Sequence, residues 1–91
     1  MPHYYFHTLH GGARRDDEGE HLADPPAARR HAVRVLGEIL KDGSADFWDD
    51  GAFSLVCVDE HGEVVTGMTA RRISDDDAAR ALRGMPAPAR D

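Results

Sequence analysis

The chain is poor in cysteine and in long apolar runs, and each shortage narrows what it can be. One cysteine, Cys57, stands in 91 residues, so no internal disulfide can staple the fold, and a reducing compartment suits it. No apolar run approaches the roughly 20 residues that a membrane-spanning helix needs. The N-terminus shows neither a basic stretch nor the apolar segment of a secretory leader, and a cytoplasmic location is the expectation. Basic residues are also outnumbered, 11 Lys plus Arg against 17 Asp plus Glu, giving a net charge of −6. Such a balance repels phosphate backbones, so nucleic acid is a disfavoured partner.

What remains is a single domain with a modest core. Residues 3–9, HYYFHTL, follow Pro2 and precede Gly11-Gly12; their aromatic content predicts a first strand. The polar stretch GGARRDDEGE cannot be buried, and EHLAD offers only a weak second strand around Leu22. Asp24 before Pro25 is the pattern of an N-cap followed by proline at the first helical position, where its missing N–H costs nothing. Spacing near 100° per residue puts Ala28, Ala32, Val35, Leu36, Ile39 and Leu40 on one face. Arg30, His31, Arg34, Glu38 and Lys41 take the other, with Arg34 able to pair with Glu38, and Gly43 marks the end. GSADFWDDG reads as a loop whose Phe47 and Trp48 fold back over one end of the core.

Residues 53–58, FSLVCV, and 64–69, VVTGMT, predict a hairpin through DEHGE. Asp59 and Gly62 suit a type I turn with left-handed glycine and a one-residue bulge. That register groups Phe53, Leu55, Cys57 and Val65 on one face and Val56, Val58, Val64, Thr66 and Met68 on the other. Ser74 caps a short helix over DDDAARALRG that ends at Gly84, and the tail MPAPARD is expected to fray. The expected class is α+β: a small antiparallel sheet in the order β-β-α-β-β, with a weak second strand, one long helix on one face and a short C-terminal helix. Residues 1–70 make the domain and 71–91 the terminal helix and tail.

The histidines and acids invite metal. On a strand, His3 and His7 lie roughly 13 Å apart at ~3.3 Å per residue, too far to share an ion whose bonds to nitrogen are about 2.0–2.1 Å. His7 with His10 across the Gly11 turn, joined by His21 or by the acids at 16–18, stays open by spacing, but no metal or cofactor is expected. The run Asp16, Asp17, Glu18, Glu20 lacks the alternation of a calcium loop and reads as a solvated turn. Cys57, mid-strand among apolar neighbours, reads as a buried small hydrophobe rather than a nucleophile. Arg29, Arg30 and Arg34, and separately Arg71 and Arg72, are basic patches that read as solvated charges.

Three resemblances follow from particular residues. MPHYYFH, DDEGEHLADPPAARRHAVRVLGEIL and FSLVCVDEHGEVV, over residues 1–66, resemble a family of small, mostly proteobacterial proteins known as domain-of-unknown-function family 6894. The resemblance implies kinship without a chemistry, and the chain continues past Thr66 where members often end. More loosely, the order strand, D-x-x-G turn, strand, helix is similar to HicB-type antitoxins, which implies a regulator that binds a partner; LADPP stands where their Pro-Asp-Leu stretch is found, and no DNA-binding extension follows. Size and Pro2 resemble the tautomerases, whose N-terminal proline is a general base; no partner arginine can be assigned, and no such turnover is expected. The reading that results is a cytoplasmic, bacterial, non-enzymatic module that binds a protein partner or forms a homodimer. Its interaction face is expected to include Tyr5, His7, Arg71 and Arg72.

Overall fold

A computed structural model describes residues 1–88. In chain order it holds β1 (His3–Leu9), β2 (Ala13–Arg14), β3 (Glu20–His21), α1 (Pro25–Asp42), α2 (Ser44–Asp50), β4 (Ala52–Asp59), β5 (Val64–Arg71) and α3 (Asp75–Arg83). The class is α+β. All pairings in the sheet are antiparallel: β1 and β4 are the central strands, β5 is one edge, and β2 and β3 share the other edge by pairing with opposite ends of β1.

Helix α1 starts where its cap residue dictates. The Asp24 side chain accepts the Ala27 N–H at 2.9 Å, and Pro25 and Pro26 occupy the first turn, where a donor is not needed. Ala28, Ala32 and Leu36 are buried against one face of the sheet, and Val35, Ile39 and Leu40 flank them. On the sheet side the core is Tyr4, Phe6 and Thr8 from β1 with Phe53, Leu55 and Cys57 from β4, the alternate residues of each strand. The two small alanines let the helix backbone approach the ring-bearing strands closely.

Four details differ from the sequence reading. The segment after Gly43 is a seven-residue helix, α2, ended by left-handed Gly51. Only Phe47 folds back from it, edge-on to Phe53 at 5.4 Å, while Trp48 is 60% exposed. His31 does not stay on the solvent side; it is half-buried with its ring 5.0 Å from that of Phe6. Arg34 and Glu38 form no ion pair; among the described residues the ion pair is Arg80–Asp77, at 2.9 Å.

A fifth difference lies in the hairpin. Its turn forms as expected, with Gly62 at φ 80, the Gly62 N–H donating to the Asp59 carbonyl and the Asp59 carboxylate accepting from His61 and Glu63. A second irregularity between Cys57 and Val58 lets Val58 pair with Val64 and Cys57 with Thr66, leaving Val65 as an extra residue. Alternation is therefore reset. Thr66 and Met68 turn to the helix face, opposite Cys57 and Leu55, rather than joining Val56 and Val58.

Helix α3 is capped by Ser74, whose hydroxyl accepts the Asp77 N–H at 3.0 Å. All nine of its residues are exposed. It thus covers neither face of the sheet, although Ala78, Ala79 and Leu82 make one side of it apolar.

Candidate functional site

Among the described residues, no helix covers the second face of the sheet. Directly paired residues share a face, so β1 contributes His3, Tyr5 and His7, β4 contributes Ser54, Val56 and Val58, and β5 contributes Val64, Gly67, Thr69 and Arg71. Tyr5 sits beside Val58 and His7 beside Val56; Gly67, next to Val56, supplies no side chain. The Ser54 and Thr69 hydroxyls share a hydrogen bond of 2.8 Å. Along β1 the rings form a continuous row. Tyr5 and His7 are nearly parallel, at 6.5 Å and 9°, His3 lies 4.8 Å from Tyr5, and His21 on β3 meets His3 edge-on at 4.2 Å.

This row is held from the side by the acidic turn. Because β2 and β3 pair only with the two ends of β1, the middle of that edge lacks a neighbouring strand. Asp16 fills the gap. Its carboxylate accepts the Phe6 N–H at 3.0 Å, while its own N–H donates to His7 Nδ1 at 2.9 Å. The same carboxylate closes its turn by accepting from Glu18 and Gly19 at 3.0 and 3.1 Å. Partial burial pushes the Asp16 carboxyl upward, but the three backbone N–H groups of Phe6, Gly19 and Glu18, aided by nearby His7, outweigh it and hold it below its ordinary value. His7 must keep Nδ1 unprotonated to accept that bond, which places its proton on Nε2.

Gly19 completes the turn at φ +68. A Cβ there would collide with the His3 ring and with the Tyr4 carbonyl, so the position requires glycine for space as well as for backbone conformation. His3 Nε2 lies 2.6 Å from the Glu18 carbonyl. The run that reads as a solvated turn is thus a bracket for β1 and its histidines.

The expected interaction residues divide. Tyr5 and His7 are neighbours on the open face, and Arg71 shares that face at the far end of β5, beside Ala52. Arg72 leaves the ladder, its N–H donating to the Gly51 carbonyl at 2.8 Å. His7, His10 and His21 do not converge: His7 faces Asp16, His21 faces His3, and His10 lies on the helix side against Phe53 at 4.5 Å. Among the described residues no group of three or more His, Cys, Asp and Glu is arranged to hold a metal.

On the helix side, a cavity of about 540 Å³ opens between α1 and the acidic turn, lined in part by Phe6, His10, Arg14, Arg15, His31 and Val35. A smaller one of about 350 Å³ continues it toward Asp46 and Phe53. Pro2 lines neither; it is half-buried, and its carbonyl accepts the Leu22 N–H at 3.1 Å. Cys57 is fully buried, and burial, with Asp59 second, pushes its thiol up to about 11. It is therefore held as the neutral thiol and is poorly suited to act as a nucleophile. Burial, reinforced by the carboxylates of Asp24 and Asp59, likewise raises the Tyr4 phenol.

Fold and site together define a small α+β domain with one helix-covered sheet face and one bare face whose ring row is bracketed by a D-x-x-G turn. The profile of the domain of unknown function DUF6894 matches residues 3–71, and the chain belongs to that family. The match includes the turn and the whole sheet and ends at Arg71, before α3. It lends no support to a HicB relation. No curated protein and no solved structure matches the chain. No helix among the described residues is long and apolar enough to cross a membrane.

Proposed function

We propose that the chain is a non-enzymatic, cytoplasmic module that self-associates through the open face of its sheet. The observation that carries this reading is the pairing of two uncovered apolar surfaces in one chain. Among the described residues, no helix packs on the sheet face that bears half-buried Tyr5, Val56 and Val58 and a 70%-exposed Val64, and none packs on α3, which presents Leu82 at 68% exposure. Apolar surface left contiguous in water is the usual mark of an interface.

Charge selects the occupant. The sheet face carries the cation Arg71 beside imidazoles that can donate hydrogen bonds, whereas α3 begins with Asp75, Asp76 and Asp77. A second copy can lay its α3 across the face, apolar on apolar with acid toward base, and receive the first copy's helix in exchange. Such a reciprocal contact closes as a two-fold dimer, the commonest form of soluble assembly. A different protein offering an acidic amphipathic helix is the runner-up.

Sedimentation equilibrium over a dilution series tests this. A reversible dimer is expected, weakened at least tenfold by Val58→Asp and by Leu82→Asp. A strict monomer at high micromolar concentration would end the self-association reading. A dimer indifferent to both substitutions would move the interface elsewhere.

A further inference from the structure

The end of the ring row poses a problem of lone pairs. His3 and His21 are direct cross-strand partners on β1 and β3, and His3 Nδ1 lies 3.1 Å from His21 Nε2. The outer nitrogen of each ring faces a backbone carbonyl: His3 Nε2 is 2.6 Å from Glu18 O, and His21 Nδ1 is 3.4 Å from Met1 O. A carbonyl oxygen can only accept, so both outer nitrogens are satisfied when they carry the protons. The two inner nitrogens are then bare lone pairs facing each other. Another neutral arrangement, with His21 donating from Nε2 to His3, turns the His21 Nδ1 lone pair onto the Met1 carbonyl instead. The remaining neutral forms set the His3 Nε2 lone pair against the Glu18 carbonyl, so every neutral form leaves a mismatched contact, the mildest being the 3.4 Å one at Met1 O.

A cation between the inner nitrogens removes the conflict. Two metal–nitrogen bonds of about 2.0–2.1 Å whose nitrogens are 3.1 Å apart subtend about 100°, between the right angle and the tetrahedral angle. Backbone carbonyls behind both imidazoles are the outer-sphere arrangement that fixes the tautomer of a metal-ligating histidine. The Glu18 carbonyl is aimed at His3 by the Asp16 turn, and Gly19 is the residue that leaves room for the ring.

We propose that His3 Nδ1 and His21 Nε2 chelate a divalent transition-metal ion of the imidazole-preferring class, such as Zn(II) or Cu(II), on the open face of the sheet. Two protein ligands leave the remaining coordination positions to water or to a group brought by a partner. This goes beyond self-association and does not depend on it, since both ligands belong to one chain.

Titration of the full chain with copper(II) chloride, followed by electron paramagnetic resonance and by calorimetry, is the test. Cu(II) is the probe because it gives the tightest binding of the series and a nitrogen hyperfine pattern that counts imidazoles. The expected result is one equivalent bound with two nitrogen ligands, weakened more than about tenfold by His3→Ala or His21→Ala and unchanged by His61→Ala. If His3→Ala loosens the turn, His21→Gln removes a ligand without touching the Glu18 contact and decides the matter. No saturable binding, or binding that survives loss of either histidine, would overturn the proposal and leave the pair holding a proton alone.

Discussion

Removing the Asp16 carboxylate should cost far more than its place in a polar surface loop implies. In Asp16→Ala the Phe6 N–H loses its acceptor on a buried residue, a penalty of about 1–3 kcal/mol. The Glu18 and Gly19 N–H groups lose theirs near solvent, where water replaces part of the bond, adding roughly 0.5–1.5 kcal/mol together. The sum is about 1.5–4.5 kcal/mol. At about 4–8 °C per kcal/mol for a domain of this size, the midpoint of thermal unfolding should fall by roughly 6 °C or more. Asp16→Asn should fall between, because its single oxygen can cap the turn or take the Phe6 N–H but not both. The pH dependence supplies a second readout. The folded carboxyl lies below its ordinary value of 3.8, so its contribution is fully present above that value and is lost as pH falls through the lower folded one. The stability gap between wild type and Asp16→Ala should therefore be constant near neutrality and narrow in acid. A gap under about 0.5 kcal/mol, within the range of ordinary surface substitutions, would refute the bracket, as would a gap that fails to narrow in strong acid.

Gly19→Ala should lower stability by more than about 2 kcal/mol in chemical denaturation, since it combines a strained positive φ with a collision against His3 and the Tyr4 carbonyl; near-neutral behaviour would mean that the turn is free to move. Cys57 should resist thiol reagents at pH 8 until denaturant unfolds the chain, and stability should be flat below the ordinary thiol value of 9.0 and decline as pH rises toward about 11, because the unfolded thiol ionises first. Fast labelling of the native protein would contradict its burial. Ser74→Ala should reduce the helicity of α3 while leaving the unfolding midpoint of the sheet unchanged, as every residue of that helix is exposed; a lowered midpoint would show that α3 packs on the domain.

What was legible in the sequence was local. Asp24-Pro25 marks the start of α1 because capping and proline act within one turn, and Asp59 to Gly62 marks the hairpin for the same reason. The alternation of β1 names Tyr4 and Phe6 as core against Tyr5 because period two needs no partner. Events that depend on a neighbour were not legible. Helix α2 is too short to show a period, β2 and β3 have two residues each, and the extra residue Val65 reverses Thr66 and Met68 through a pairing that alternation alone cannot reveal. The meeting of His3 with His21 likewise needs the chain to turn back at Asp16 to Gly19. The spacing D-x-x-G was visible as a turn. Its consequence, that residues 20 and 21 return alongside the start of β1 and bring two imidazoles together, required the register.

Association through the face of Tyr5, Val56 and Val58, as proposed, is open to direct measurement. Hydroxyl-radical footprinting at low and at high protein concentration reads that face directly. Tyr5, Val58 and Leu82 should lose reactivity as concentration rises, while Val33 and Trp48, each 60% exposed away from the open face, should not change. Protection of Val33 or Trp48 with Tyr5 unaltered, or no protection at any concentration, would contradict it.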